Sequence, residues 1–379
     1  MSNSMHPNQP SDGHQPTKAP GAYSLAEILS QPQSWASCLR EVSESGILEQ
    51  VRDQFINCDD YLFMGCGSSY YVALCAAATM TAFTGRRARA IPASEILLYP
   101  ELVLAATKHF LPVLISRSGQ TSEVLQAAEL LRSRSIPTLA ISCAEGQALE
   151  GLASLTITVP SADEKSTVMT RSFTSMLLIL QALAAKIGNN AEASERLARI
   201  PELATPSLGT LAEKIRAFVA QHRSADYVCL GQGPFFGLAC EYALKVTEMS
   251  VSYAQAFHTL EFRHGPKSIV APEVLLIFLI SGQGRDAECE MLEEIKSLGG
   301  TTLVVANHAN NRVRASADFL VDLSVDAPEI ALLAPSLVPG QLLGLYTGLK
   351  KGLDPDTPRN LSRSVILGDA SHKTEHAAL

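Results

Sequence analysis

The segment YLFMGCGSSYYVALCAAATMTAF, residues Tyr61 to Phe83, determines the fold class that this sequence indicates. It opens with a short apolar run that predicts a buried strand, and the run stops at a turn rich in glycine and serine (residues 65–69). The remaining residues are mostly alanine and other apolar types, which predict a helix. A strand, a tight turn and a helix in this order are typical of a parallel sheet covered by helices.

The same order of signals recurs along the chain. An apolar run at His109–Ile115 leads into the turn SRSGQTSE and the helical pattern VLQAAELLRS, and the strand-like runs TLAISC and LTITVP follow. In the second half, DYVCLGQGP, LLIFLISGQG, TLVVAN and FLVDLS repeat the four strand signals. Gly231 lies 166 residues after Gly65, and Ser281 lies 165 residues after Ser116. Four matches at nearly one spacing indicate an internal duplication.

These repeats predict an α/β protein of two tandem doubly wound parallel-sheet αβα domains. We expect a disordered N-terminal tail at 1–22, N-terminal helices and the first domain at 23–205, the second domain at 206–353 and a C-terminal tail at 354–379. The N-terminal helices are expected to break near Pro32, because proline ends a helix that precedes it.

Composition excludes several classes of function. The formal net charge of -8 and the pI near 5.6 argue against nucleic-acid binding, because no basic surface is available for phosphates. The eight cysteines are scattered without metal-ligand spacing, which favours a reduced cytoplasmic protein without a metal. The start MSNSMHPNQP lacks a signal-peptide pattern, and apolar runs such as VLLIFLI are too short to cross a bilayer. We therefore expect a cytoplasmic protein with no membrane partner and no cofactor.

A charged helix lies in the second half. Glu241, Lys245 and Glu248 are spaced to share one face of a helix whose other faces are apolar. A surface pair without a role is one interpretation of this spacing, since such pairs are common. The other is a cluster that handles protons in a dry pocket, together with the basic residues of the turn FRHGPK that follows.

The turn SRSGQTS at Ser116–Ser122 comes directly before a helix and is the candidate anion site. First-turn amides, the helix dipole and several hydroxyls could surround a phosphate, and Ser68 and Ser69 could add theirs. A plain helix cap is the alternative. The sequence contains no P-loop and GCGSSYY lacks the third glycine of a dinucleotide fingerprint, which disfavours nucleotides. The second copy, SGQGRD, has lost the hydroxyls, so we expect one phosphate site per chain.

Taken together, three motifs resemble the SIS (sugar isomerase) superfamily. They are GCGSS with SRSGQT, ALKVTEMS followed by EFRHGPKS, and DPDTPRNLSRSV near the C-terminus. The chain from about Tyr23 to Leu367 is similar to the isomerase half of glucosamine-6-phosphate synthases and to the galactosamine-6-phosphate deaminase/isomerase family. His264 lies 16 positions after Glu248, and this spacing fits the synthase type. The resemblance implies a phosphosugar substrate, held by the first domain and converted beside the helix of the second, with the C-terminal tail closing the site.

The resemblance also implies roles for individual residues. Glu248 would move a proton between C1 and C2, and His264, supplied by the neighbouring subunit of a homodimer, would open the sugar ring; His258 is a weaker candidate. Glu241 and Lys245 would order the site. The remaining predicted contacts are Ser69, Ser116, Arg117, Ser118 and Thr121 for the phosphate, and Ser68, Thr170 and Arg363 for the sugar.

The family pattern and this sequence differ at two points. The synthase forms an imine through a tail lysine, whereas Arg363 occupies that position here, and a guanidinium forms no Schiff base. The synthase also carries a glutamine-hydrolysing domain that this sequence is expected to lack. We therefore expect a hexosamine 6-phosphate deaminase or aldose-ketose isomerase. The alternatives are a sugar-phosphate sensor without turnover and an ammonia-dependent synthase.

Overall fold

The computed structural model describes residues 18–104 and 109–367. The strands are β1 (Asp60–Gly65), β2 (Arg87–Pro92), β3 (Phe110–Ile115), β4 (Leu139–Ser142), β5 (Leu155–Thr158), β6 (Asp226–Gly231), β7 (Tyr253–His258), β8 (Val274–Leu279), β9 (Thr301–Ala306) and β10 (Phe319–Asp322). The helices are α1 (Ala22–Leu29), α2 (Gln31–Ser45), α3 (Ile47–Gln54), α4 (Ser68–Thr84), α5 (Ala93–Leu98), α6 (Pro100–Val103), α7 (Ser122–Ser133), α8 (Ala148–Leu152), α9 (Arg171–Ile187), α10 (Ala191–Ala204), α11 (Leu208–Gln221), α12 (Phe236–Ser250), α13 (Arg285–Ser297), α14 (Asn311–Ser316) and α15 (Leu333–Lys350).

The strands form two five-stranded sheets with the same topology. The first has the order β2-β1-β3-β4-β5 and the second β7-β6-β8-β9-β10, and every pairing is parallel. Strands β1 and β6 begin 166 residues apart, and β5 and β10 begin 164 apart, which is the spacing of the sequence repeat. The predicted duplicated, doubly wound α/β fold is therefore confirmed.

Two glycines explain why the first sheet can carry a tight site at its carboxyl edge. A Cβ on Gly65 would lie 2.7 Å from the backbone carbon of Ser69, so only glycine lets α4 begin this close to β1. Gly119 has φ +64° and a Cβ there would lie 2.7 Å from Cβ of Gln147. Both turns that follow β1 and β3 therefore depend on the absence of a side chain.

Helices α12 and α15 form the buried centre of the second half. Helix α12 packs against α15 and also against α4 of the first half. The two domains therefore meet along the helices that follow β6 and β1. The segment Glu329–Lys350 is long and apolar enough to cross a membrane, contrary to the expectation from short apolar runs. However, 94% of the most apolar 18-residue window of that segment is buried inside the protein, as in the core helix of a globular fold.

The two ends of the described chain meet. The carboxylate of Asp354 accepts a hydrogen bond from the amide of Gly21 at 2.9 Å, and that of Asp356 accepts one from the amide of Ser24 at 2.7 Å. Asp354 and Asp356 therefore accept hydrogen bonds from backbone amides at the start of α1, a helix that has no side-chain cap of its own. The break predicted near Pro32 falls at Ser30, between α1 and α2. Most of the predicted disordered tail, residues 1–17, lies outside the described residues, as do 368–379.

Candidate active site

A cavity of about 190 Å³ lies at the carboxyl edge of the first sheet, where the strand order reverses between β1 and β3. It is the position at which doubly wound sheets bind ligands. Five parts of the chain line it: the turn after β1, the turn after β3, the loop before α9, helix α12 and the C-terminal segment. The lining residues are Cys66, Gly67, Ser68, Ser69, Arg117, Ser118, Thr121, Thr167, Val168, Met169, Glu248 and residues 361–365.

The turn after β3 offers free hydrogen-bond donors to this cavity. The backbone amides of Arg117, Ser118 and Thr121 donate to no other described residue. The hydroxyls of Ser118 and Thr121 also lie on the cavity wall, and Ser116 is buried behind them with its Oγ 3.1 Å from Oγ1 of Thr121. Free amides and hydroxyls before a helix favour a bound anion.

The equivalent turn of the second sheet is already filled by carboxylates. The amide and the hydroxyl of Ser281 donate to Oε2 of Glu288 at 2.7 and 2.8 Å. The amides of Gly282 and Gln283 donate to Oε2 of Glu329. A cavity of about 220 Å³ adjoins this turn, but its anion-binding donors are satisfied by the chain itself. One phosphate site per chain stays a prediction.

Helix α12 carries a buried charge cluster centred on Lys245, whose side chain is fully buried. Its ammonium lies 2.5 Å from Oε2 of Glu248, 3.3 Å from Oε1 of Glu241 and 3.2 Å from Oγ of Ser68. Ser68 Oγ in turn donates to Oε1 of Glu241 at 3.0 Å. An ammonium has three donors, and here each has an acceptor. The cluster therefore connects the second domain to the first turn of α4.

The cluster sets the protonation states of its members. Burial lowers the pKa of Lys245, but the two neighbouring carboxylates together raise it by more than burial lowers it. The pKa of Lys245 therefore lies above its usual value. Lys245 is therefore a cation at neutral pH and is not available as an imine-forming amine. Burial raises the pKa of Glu241 to about 8, although the positive charge of Lys245 lowers it. Glu248 is less buried: 19% of its side chain is exposed, and it lies on the cavity wall.

Glu241→Gln is expected to change how stability depends on pH. Because the folded-state pKa of about 8 lies above the ordinary value of 4.5, folding takes up a proton between these values. The contribution of Glu241 to stability is therefore largest below pH 4.5 and is lost as the pH rises towards 8. In Glu241→Gln, the decrease in stability that Glu241 causes between pH 4.5 and 8 should be absent. Thermal unfolding at pH 5, 6.5 and 8 checks it, and an unchanged difference between pH 5 and 8 would contradict the assignment.

Of the other predicted site residues of the first domain, Ser69 and Arg117 line the cavity and Thr170 does not. Ser69 lies on the cavity wall with its Oγ 3.9 Å from Sδ of Met169. Thr170 does not reach the cavity; it is fully buried and its hydroxyl donates to Glu164 at 2.6 Å. Arg117 lines the cavity, but its guanidinium binds Glu164 and two backbone carbonyls. The loop residues just before Thr170, including Met169, are the ones that face the cavity.

Arg363 and the two histidines complete the predicted set. Arg363 lines the cavity, and its guanidinium forms an ion pair with Asp163. His264 is exposed and is absent from the cavity lining in this single chain. His258 stacks on Phe236 with ring centroids 3.8 Å apart, and burial lowers its pKa. A single chain thus brings Glu248 to the hydroxyl-lined cavity and leaves His264 outside it.

Sequence reasoning missed one buried acid at this site. Glu164 is 2% exposed and its carboxylate accepts hydrogen bonds from the amide and hydroxyl of Thr170 and from the hydroxyl of Ser172. It also pairs with Arg117, with 3.4 Å between Nη1 and Oε2. The only signal in the sequence is an acidic residue shortly before a helix that begins with hydroxyl residues, and such residues are usually surface caps.

The fold and the cavity define a class: a duplicated doubly wound α/β protein in which hydroxyls, free amides and the carboxylate of Glu248 line a cavity at the carboxyl edge of the first sheet. The family model of the SIS domain matches residues 54–186 and 224–343. The chain therefore belongs to the SIS domain family.

Similar proteins agree with this assignment. The chain is 29% identical over 364 residues to the glutamine–fructose-6-phosphate aminotransferase (isomerizing) of Pyrobaculum aerophilum, covering 91% of this chain and 57% of that protein. It is 30% identical to the solved glucosamine-6-phosphate deaminase of Thermotoga maritima, with a TM-score of 0.73 and coverage of 91% of this chain and 100% of that one. The tagatose-6-phosphate ketose/aldose isomerase of Escherichia coli, at 22% identity, has a TM-score of 0.82 with coverage of 93% and 99% and shares the fold. The chain spans 57% to 59% of the length of the curated relatives it matches.

Proposed function

We propose that this chain is an enzyme that converts a hexosamine 6-phosphate into a ketohexose 6-phosphate and ammonia by proton transfer between C1 and C2. One observation carries the proposal. The carboxylate of Glu248 and the free amides and hydroxyls of the turn after β3 line the same cavity. A phosphate in that turn would leave the other end of a short sugar within the reach of Glu248.

The proton transfer needs a single carboxylate. With the sugar ring open, Glu248 removes the proton from C2 and returns it at C1, because the two carbons are adjacent and the proton can stay on one face. An amino group at C2 makes the intermediate an enolamine. Its protonation at C1 gives a ketimine at C2, which water hydrolyses to the ketose phosphate and ammonia.

The charge cluster supports this role of Glu248. Lys245 holds one carboxylate oxygen of Glu248 at 2.5 Å and fixes its direction without neutralising it by proton transfer, since the pKa of the lysine is raised. Glu241 and Ser68 hold Lys245 in turn. We assign to Glu241 and Lys245 the positioning of the base, and to Glu248 the chemistry.

Among the possible reactions, we favour deamination of the hexosamine 6-phosphate. The Thermotoga maritima protein that is named a glucosamine-6-phosphate deaminase matches this chain at 30% identity over the whole of its own length. Arg363 occupies the imine-lysine position implied by the family pattern and is ion-paired to Asp163, so the proposal contains no covalent step through this residue.

A substrate panel tests the proposal. Purified protein is incubated with glucosamine 6-phosphate, galactosamine 6-phosphate, and fructose 6-phosphate plus ammonium, and ammonia, ketose and solvent deuterium at C1 or C2 are measured. Release of ammonia from a hexosamine 6-phosphate supports the deaminase. Amination of fructose 6-phosphate without net deamination would instead identify an ammonia-dependent synthase, and tight binding without exchange would identify a sensor.

We also propose that the active site is shared across a homodimer in the cytoplasm. His264 lies outside the cavity of its own chain, yet ring opening needs a group that gives and takes a proton near neutral pH. His264 of a second copy would meet this need if the exposed turn around it enters the neighbouring cavity.

Mixed chains are expected to recover activity. Glu248→Gln and His264→Ala chains should each be inactive alone, but random mixing makes about half of the dimers mixed, with one intact site of two. Activity should therefore return to about a quarter of the wild-type value. It is measured after denaturation and joint refolding, with each variant refolded alone as the control. No recovery in dimers verified to be mixed would contradict a shared site.

A further inference from the structure

Arg117 joins three separate parts of the chain at the edge of the cavity. It is the second residue of the turn after β3, and its side chain is 5% exposed. Its Nη2 donates to the carbonyl of Thr167 at 2.9 Å and to that of Arg363 at 2.7 Å. The first carbonyl belongs to the loop before α9 and the second to the C-terminal segment, so one guanidinium holds both against the turn.

Glu164 holds that guanidinium in place. Its carboxylate is buried and pairs with Arg117 at 3.4 Å. The same carboxylate accepts hydrogen bonds from the amide of Thr170 at 2.7 Å and from the hydroxyl of Ser172 at the start of α9. Because Glu164 is tied to the helix, the guanidinium of Arg117 cannot swing away without leaving a buried charge unpaired.

The C-terminal segment has a second attachment to the same turn. The amide of Ser122, the first residue of α7, donates to the carbonyl of Val365 at 3.2 Å. The hydroxyl of Ser122 accepts a hydrogen bond from the amide of Leu367 at 2.9 Å. Arg117 thus lies within the turn 116–121 that carries the free amides, here called the anion cup, and Ser122 directly follows it; both hold residues 361–367.

We propose that Arg117, held by Glu164, is a positioning residue that couples an anion in the cup to closure of residues 361–367 over it. The backbone amide of Arg117 donates to no described residue and belongs to the turn that lines the cavity, whereas the side chain of Arg117 holds the carbonyl of Arg363. A phosphate that accepts a hydrogen bond from this amide therefore fixes the same residue that holds the C-terminal segment. The identity of the ligand as a phosphosugar rests on the proposed function; the coupling itself needs only an anion.

Hydrogen exchange of the whole chain, without and with inorganic phosphate, tests the coupling. In the wild-type protein, phosphate should slow amide exchange in the peptide covering 361–367. In Arg117→Gln that peptide should exchange about tenfold faster without phosphate, because a charged hydrogen bond is lost, and phosphate should no longer slow it. Arg134→Gln removes an exposed pair with Glu101 in the same domain and is the matched control.

Arg117→Lys is a second variant that keeps the test valid if Arg117→Gln does not fold. Arg117→Lys keeps a positive charge opposite Glu164, but its single ammonium cannot span the carbonyls of Thr167 and Arg363 together, so it should fold and still lose the effect of phosphate on the peptide. If phosphate protects residues 361–367 equally in the wild-type protein and in Arg117→Lys, the coupling is wrong, and the same holds if it protects them in neither. Neither readout requires turnover, so inactivity on the sugar panel would overturn the proposed function alone.

Discussion

Glu248→Gln is expected to lower kcat by about 10³-fold or more while leaving substrate affinity nearly unchanged. The amide has almost the shape of the carboxylate and can still accept from Lys245, so the cluster and the cup keep their geometry. What disappears is the carboxylate of Glu248, the only one among the described residues that line the cavity. Proton exchange between C2 of the sugar and solvent deuterium, followed by NMR, measures the step directly.

The control for this variant is Glu290→Gln, the same change on the exposed face of α13 in the same domain. It should leave both kcat and KM at the wild-type values. If Glu248→Gln keeps the rate of exchange at C2 within a few fold of the wild-type rate, Glu248 is not the base. A large rise in KM with unchanged kcat would assign it to substrate binding instead.

The sequence predicted the sheets best where strands are buried on both sides. Strands β1, β3, β6 and β8 are short apolar runs bounded by turns, and each is recognisable because helices cover both of its faces. The edge strands β2 and β7 were not predicted. β2 contains two arginines and a proline and is only partly buried, and these residues are tolerated there because one side of the strand is unpaired.

The site was predictable to the extent that it depends on local spacing. The face formed by Glu241, Lys245 and Glu248 follows from helical periodicity, and the structure finds it on α12. The contacts of Arg117 and Thr170 were not accessible, because they depend on Glu164, which reaches them only after the loop before α9 has folded against the first sheet. Long-range polar contacts of this kind leave no periodic signal in a sequence.

Lys245→Met is expected to be the most destabilising single substitution in the second domain, costing about 3–5 kcal/mol of the free energy of unfolding. Methionine fills the same volume, but Glu241 and Glu248 lose the ammonium that lies 3.3 and 2.5 Å from them. Glu241 is fully buried and its Oε2 already has no partner among the described residues, so it cannot turn to another donor. Denaturant titration at pH 9, above the pKa of about 8 of Glu241, measures the loss for the ionised carboxylate, and activity should fall with it.

The double variant Glu241→Gln with Lys245→Met separates stability from chemistry. It removes one buried carboxylate along with the ammonium, so most of the lost stability should return, because the cost lies in the unpaired charge and not in the missing side chain. Activity should not return, since Glu248 has lost the group that fixes its direction. Lys267→Met, which breaks a half-exposed pair with Glu294, is the matched control and should cost less than about 1 kcal/mol. A double variant as unstable as Lys245→Met would show that packing around the lysine stem, not charge pairing, makes this helix stable.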